Sequence, residues 1–202
     1  MKQSPDEHAR RFDEKATEYD SQKSEEYNET VSLVVAHAQP RPDDVVLDLG
    51  TGTGAIAFAL AEEAGEVVGR DISEGMLKEA KKKATERGVD NVSFGTGRFR
   101  EPDAPETVDV VTSNFALHHL DDEGKREAIG VIGGLEPRRF VLGDLMFFGQ
   151  PDPDAPFYDP SVDDPATVGV LADAFTDAGF ALTAVEQVHD QLGVLVGERL
   201  EE

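Results

Sequence analysis

The part of the sequence best suited to hold a ligand is a glycine-rich turn near residue 50. The apolar run Val45–Leu49 leads into Gly50-Thr51-Gly52-Thr53-Gly54, and a helical pattern begins at Ala55. Glycines between a strand and a helix let the backbone approach a ligand, and the first helical N–H groups point at it. Asp71 ends the next apolar run, about 20 positions later, where a carboxylate can accept both hydroxyls of an adenosine ribose. Together they predict a site for an adenosine-containing cofactor.

Two classes of cofactor fit this loop. Gly50, Gly52 and Ala55 satisfy the G-x-G-x-x-A pattern of dinucleotide binding, which predicts an NAD(P)-dependent oxidoreductase. The further glycine at position 54 and Asp48, two residues before Gly50, instead resemble motif I of the class I S-adenosylmethionine (SAM)-dependent methyltransferases. The second interpretation accounts for more of the loop.

The resemblance to these methyltransferases extends over most of the chain. Residues 68–77 are similar to the family's ribose-binding segment, residues 109–120 to its motif IV, and the C-terminal hairpin to its antiparallel seventh strand. Residues 12–20 resemble the first helix of the small-molecule branch, which includes the ubiquinone and menaquinone biosynthesis enzymes. The resemblance implies methyl transfer from SAM to a small molecule, with S-adenosylhomocysteine (SAH) as product. A protein that binds SAM or SAH without transferring the methyl group is the alternative.

The resemblance also implies roles for individual residues. The methionine half of SAM would lie against the glycine loop, the ribose on Asp71, and Tyr19 would close over the site. The implied cofactor-binding residues are Asp48, Gly50, Thr51, Gly52, Asp71, Ile72, Met76, Gly97, Arg98, Phe99, Asn114 and Phe115.

One position departs from the family pattern. Where the family usually carries an acid that reads the adenine amine, this sequence has Arg98. Because a guanidinium cannot accept a hydrogen bond, adenine recognition here must come from backbone groups of residues 97–99.

Methyl transfer from a sulfonium mainly requires alignment of donor and acceptor, so a general base is optional. His118 and His119 follow the predicted fourth strand, at the sheet edge where such folds bind ligands, and are the candidate bases. No metal site is expected: Asp144 could join the two histidines, but no pair of histidines lies four residues apart on a helix. His8, His37 and His189 read as ordinary surface or satisfied residues.

The acceptor pocket is expected in the variable parts of the chain. These are the N-terminal aromatic residues Phe12, Tyr19 and Tyr27, and the Pro/Asp-rich stretch from Met146 to Tyr158. Long loops in compact domains are often lids over a site.

The predicted elements place these residues at one sheet edge. Strands and helices alternate five times from residue 45, which predicts an α/β, Rossmann-like, doubly wound parallel sheet. A helix is expected from Asp164-Pro165 to Gly179, followed by a hairpin that supplies an antiparallel last strand and completes a seven-stranded sheet. Residues 1–40 are predicted to form a helical cap on a single domain of residues 41–202.

Composition limits the partners. The 202 residues include 42 acidic and 19 basic side chains, a net charge of −23. Nucleic acids and anionic membranes are therefore unexpected partners. Cysteine is absent, which excludes disulfides and thiol nucleophiles. Arg outnumbers Lys and Ile is scarce, a balance typical of halophile proteins. With no apparent targeting segment, we expect a cytoplasmic monomer or homodimer.

Overall fold

A computed structural model describes residues 2, 4–150 and 155–200 as a three-layer α/β structure. The helices are α1 (Pro5–Lys15), α2 (Glu25–Ala38), α3 (Ala55–Leu60), α4 (Glu74–Arg87), α5 (Asp122–Gly134) and α6 (Val168–Asp177). The strands are β1 (Val45–Leu49), β2 (Glu66–Asp71), β3 (Val92–Thr96), β4 (Val110–Asn114), β5 (Arg139–Phe147), β6 (Ala166–Thr167), β7 (Ala181–His189) and β8 (Leu192–Glu198).

The strands run in the order β3-β2-β1-β4-β5-β8-β7, with the short β6 beside β5. The pairs from β3 to β5 are parallel, while β8 runs antiparallel between β5 and β7. This confirms the predicted seven-stranded Rossmann-like sheet, to which β6 adds an unpredicted eighth strand. The strand order reverses between β1 and β4, and ligands of such sheets bind at that point beyond the carboxyl ends of the strands.

Each face of the sheet carries its own apolar core. Leu47, Val111 and Phe140 pack with α5 and α6 on one face, and the Phe140 and Phe175 rings stack 4.7 Å apart. On the other face, Val46 and Val141 pack with α2, α3 and α4. Burial on both faces explains why the sequence of β1 is almost continuously apolar rather than alternating.

The N-terminal segment divides between the core and the cleft. Val34 and Ala38 of α2 are fully buried against the sheet, whereas α1 and the short 3-10 helix Tyr19–Gln22 lie over the carboxyl edge of the strands. Ser4 caps α1, and the side chains of Ser4 and Glu7 form a capping box. The proposed division at residue 40 stays a prediction.

The predicted start of α6 is wrong. Asp164-Pro165 resembles a capped helix start, but Ala166 and Thr167 pair with Met146 and Phe147 of β5. The helix begins at Val168, and the Thr167 hydroxyl accepts the Val170 N–H as its cap. Among the described residues, no helix is both long and apolar enough to cross a bilayer.

Candidate active site

A cavity of about 430 Å³ opens beyond the carboxyl ends of β1, β2 and β4. Pairing of Leu49 with Arg70 and with Ser113 puts the residues that follow these strands side by side. Thirteen of the fifteen predicted site residues line the cavity: Tyr19, Gly50, Thr51, Gly52, Asp71, Ile72, Met76, Gly97, Arg98, Phe99, Asn114, Phe115 and His119. Asp48 and His118 lie behind its wall.

The glycine loop is held open by backbone geometry. Gly50, Gly52 and Gly54 all have positive φ, at 71°, 55° and 88°, a region that costs other residues about 1–2 kcal/mol. The N–H groups of Gly50 and Thr51 both donate to the Arg70 carbonyl. A side chain at Gly50 would collide with Ala116, since an added Cβ would lie 2.3 Å from the Ala116 Cβ.

Asp71 joins this loop to the next strand. One carboxylate oxygen accepts the Gly52 N–H at 2.8 Å, and the other accepts the Ser73 N–H at 2.9 Å. Burial raises the pKa of Asp71, and these backbone hydrogen bonds oppose the shift. A carboxylate has about four acceptor sites, so both oxygens retain capacity toward the cavity.

Asp48 is deeper than the sequence suggested. It is 1% exposed, and its Oδ1 accepts the Thr112 hydroxyl at 2.8 Å. Its Oδ2 is buried without a hydrogen-bond partner, as is the nearby Thr51 hydroxyl. Burial raises the pKa of Asp48 to about 6, with the hydrogen bond from the Thr112 hydroxyl opposing the shift.

Asn114 and Phe115 end β4 inside the cavity. Neither polar atom of the buried Asn114 carboxamide has a hydrogen-bond partner, which makes it a ready ligand contact because such groups are costly to leave unpaired. Phe115 has φ 51°, an outlier for a bulky residue. Its N–H donates to the Gly143 carbonyl, and its ring lies 5.2 Å from that of Tyr27.

Two carboxylates, Asp13 and Asp20, hold the N-terminal segment over the cavity. Asp13 accepts the Ser73 hydroxyl at 2.6 Å and the Gly75 N–H at 2.8 Å. Asp20 accepts the Thr53 hydroxyl and pairs with Lys83. These contacts hold Phe12 and Tyr19 over the cavity, where they and Tyr27 form part of its wall. Burial raises the pKa of Tyr19 and Tyr27, so both hydroxyls stay protonated at neutral pH.

The Arg98 guanidinium is turned toward α1 and lies 3.3 Å from Asp6. Gly97 and Phe99 also line this end of the cavity, and the Gly97 N–H donates to the Asp71 carbonyl. Glu101, an acid that the sequence analysis missed, lines the same end. It is positioned by reciprocal backbone hydrogen bonds with Arg98, and no motif signals this pairing.

The two candidate bases differ in access. His118 is 5% exposed, and its Nδ1 is hydrogen-bonded to Asp144. The His119 ring lines the cavity, but both of its nitrogens are buried. Burial, reinforced by His118, lowers the pKa of His119 to about 4, so this imidazole is neutral at pH 7.

Two further expectations fail. The described part of the stretch 146–158 does not line the cavity: Met146 is fully buried, Phe147 contacts Tyr158, and Phe157 stacks on His189. Residues 151–154 of that stretch lie outside the described residues. His8 is not an ordinary satisfied residue, since it is 3% exposed with both nitrogens unpartnered. Contacts with distant parts of the chain decide both outcomes, and no pattern in the neighbouring sequence predicts them.

Comparisons with known proteins agree with this geometry. Residues 46–133 match a family model described as a methyltransferase domain. The nocamycin O-methyltransferase of Saccharothrix syringae is 30% identical over 209 residues, spanning 90% of this chain and 74% of that protein. The uncharacterized methyltransferase YcgJ of Bacillus subtilis is 32% identical over 136 residues, covering 66% of this chain but only 53% of that protein.

A solved structure shows the same fold. The putative methyltransferase in complex with the Haloferax volcanii Trm112 methyltransferase activator superposes with a TM-score of 0.78 at 19% identity, covering 94% of this chain and 98% of that one. The family match, the relatives and the position of the cavity at the strand-order reversal all agree. The chain therefore belongs to the class I SAM-dependent methyltransferases.

Proposed function

We propose that this protein transfers a methyl group from SAM to a small-molecule acceptor bound in the same cavity. One observation carries the proposal: the glycine loop, Asp71 and the unpartnered Asn114 carboxamide converge on one cavity at the strand-order reversal. Its volume of about 430 Å³ lies within the roughly 300–1,000 Å³ of ligand sites.

The donor set suits SAM chemically. Asp71 offers acceptor capacity for two ribose hydroxyls, while Ile72 and Met76 supply apolar surface for a purine ring. Gly50 and Gly52 line the cavity, where the lack of a side chain would let a ligand lie against the backbone. The unpaired Asp48 Oδ2 supports a role toward an ammonium group, through a water because Asp48 lies behind the cavity wall.

When bound, SAM supplies a methyl group activated by the sulfonium. The protein's part is then alignment and exclusion of water, which Phe12, Tyr19, Tyr27 and Phe115 provide as one aromatic wall. No described residue must remove a proton for this to work. A base role for His118 or His119, and a direct role for Tyr19 in the transfer, stay predictions.

The aromatic wall favours an acceptor with an apolar or aromatic body. The relative named for nocamycin O-methylation supports a small molecule as acceptor. The charge of −23 disfavours binding to nucleic acid or to an anionic membrane. A monomer or homodimer in a salt-rich cytoplasm stays a prediction.

Calorimetry with SAM, SAH and NAD(H) in concentrated KCl tests the cofactor. We expect SAM and SAH to bind, and Asp71→Ala to weaken SAM at least ten-fold because the ribose loses its acceptors. Asp90→Ala, which removes an exposed acid, is the matched control. Heat with NAD(H) alone would instead support the oxidoreductase interpretation.

Transfer of radiolabelled methyl groups to a metabolite extract then tests the reaction. Label in the small-molecule fraction is the expected result. SAM binding without labelled product in any fraction would favour the non-catalytic SAM-binding alternative.

A further inference from the structure

A cluster of three histidines and two aspartates lies at one end of the cavity, where His8 and His119 form part of the wall. The methyl-transfer proposal does not require this cluster. His118 and His119 follow β4, Asp144 belongs to β5, His8 to α1, and Asp163 to the segment before β6. At least nine-tenths of each residue is buried, except for His119, whose side chain is 15% exposed.

Three donor atoms of this cluster face one another. The Asp163 Oδ1 lies 3.1 Å from the His119 Nδ1 and 3.6 Å from the His118 Nε2, and all three lie within 4.8 Å of one another. Atoms that bind one ion at about 2.0–2.2 Å are roughly 3–4 Å apart, as both separations are. A shared proton can satisfy only two of the three atoms, whereas one cation satisfies them all.

Neighbouring groups orient these donors as they do around known metal sites. The His118 Nδ1 is hydrogen-bonded to Asp144, which leaves the His118 Nε2 on the side of Asp163. The Asp163 Oδ2 accepts the Asp159 N–H at 2.9 Å, while its Oδ1 has no hydrogen-bond partner. A carboxylate behind a ligating imidazole is a common arrangement in metalloproteins.

The backbone around Asp163 fixes its position. The Asp164 N–H donates to the His118 carbonyl at 2.8 Å, and the buried Lys125 ammonium donates to the Asp164 carbonyl. Asp144 and Asp163 are both buried beside imidazoles. The two negative charges of a pair of carboxylates balance the two positive charges of a divalent cation.

His8 lies next to this group of three donors without belonging to it. Both of its ring nitrogens are buried without a partner, and its ring centroid lies 4.5 Å from that of His119. Arg11, the nearby cation on the same helix, lies 3.7 Å from Asp159.

We propose that His118, His119 and Asp163 bind one divalent transition-metal ion of the zinc type, with water at the fourth position. Imidazole and carboxylate donors suit Zn²⁺ or Co²⁺ better than Mg²⁺ or Ca²⁺, which prefer oxygen alone. The ion fastens the segment before β6 to the end of β4. The site stands independently of SAM binding.

A Co²⁺ titration tests the site in protein stripped with a chelator. Concentrated KCl and excess Mg²⁺ keep exposed carboxylates from contributing. We expect one Co²⁺ per chain, with the intense visible absorption of four-coordinate cobalt, displaced by one equivalent of Zn²⁺. Asp163→Asn should weaken Co²⁺ binding more than 100-fold, and Asp144→Asn about 10–100-fold as an outer partner.

His37→Gln is the matched control, because His37 of α2 pairs with Glu186 of β7, outside the cluster. Circular dichroism and SAM calorimetry confirm that each variant is folded, and His119→Gln replaces Asp163→Asn if that variant does not fold. Absence of a cobalt spectrum overturns the proposal. So does a spectrum that persists unchanged in Asp163→Asn and His119→Gln.

Discussion

The glycine loop permits a sharp test because three glycines with the same backbone requirement have different surroundings. Gly50, Gly52 and Gly88 have φ values of 71°, 55° and 63°. Replacing each with alanine imposes the same left-handed penalty of about 1–2 kcal/mol. Only the contacts of the new methyl group differ.

Those contacts give an ordered set of expected effects. At Gly88, which ends α4 away from the cavity, the methyl group meets nothing within 4 Å. At Gly52 it enters the cavity, with the Tyr19 Cε1 at 4.0 Å as its nearest neighbour. At Gly50 it overlaps Ala116, which adds about 1–3 kcal/mol of overpacking.

The melting temperature of a domain this size falls by about 2–4 °C per kcal/mol. Gly88→Ala and Gly52→Ala should therefore each lower it by about 2–8 °C, and Gly50→Ala by more. Calorimetry with SAM separates the first two. Gly88→Ala should bind SAM normally, whereas Gly52→Ala should lose at least ten-fold in affinity because its methyl group occupies ligand space. Equal SAM affinity in these two variants would refute the placement of the cofactor against this loop.

Two other predictions follow from buried charges. Burial raises the pKa of Asp48 to about 6; if its carboxylate faces the SAM ammonium, SAM affinity should rise about ten-fold from pH 5 to 7. Calorimetry should show that Asp48→Asn loses this rise in affinity. The pKa of Asp48 is higher in the folded than in the unfolded protein, so ionisation of Asp48 destabilises the ligand-free protein as the pH rises from about 4 to 6. The Asp48→Asn variant should therefore be at least as stable as wild type at pH 8. Lys125 is 1% exposed and donates to the carbonyls of Leu120 and Asp164. Lys125→Met leaves both unpaired and should cost about 3 kcal/mol in urea unfolding; an unchanged midpoint would show that water replaces the ammonium.

The cofactor end of the site was predictable because its determinants are local. The apolar run of β1, the glycines after it and Asp71 at the end of β2 are each visible within a few residues, and parallel pairing then brings them together. The same locality explains the capping of α1 by Ser4 and of α5 by Asp121.

The elements after β5 were not predictable in the same way. Asp164-Pro165 has the local chemistry of a helix start, yet pairing of Ala166 with β5 delays the helix. The aromatics after Met146 suggested a lid, but Phe157 packs on His189 at the end of β7 instead. In both cases long-range pairing outweighs a local preference, and nothing within the segment encodes the partner.

The composition of the histidine–aspartate cluster also could not be predicted from the sequence. The sequence suggests Asp144 as the partner of His118 and His119, because it directly follows the apolar run 140–143. The structure uses Asp144 behind His118 and brings Asp163 to the front of both rings. Asp163 arrives there because the neighbouring backbone is tied to the His118 carbonyl and to Lys125. A buried lysine in α5 thus helps to hold Asp163 against the histidines, so loss of Lys125 should weaken Co²⁺ binding as well as the fold.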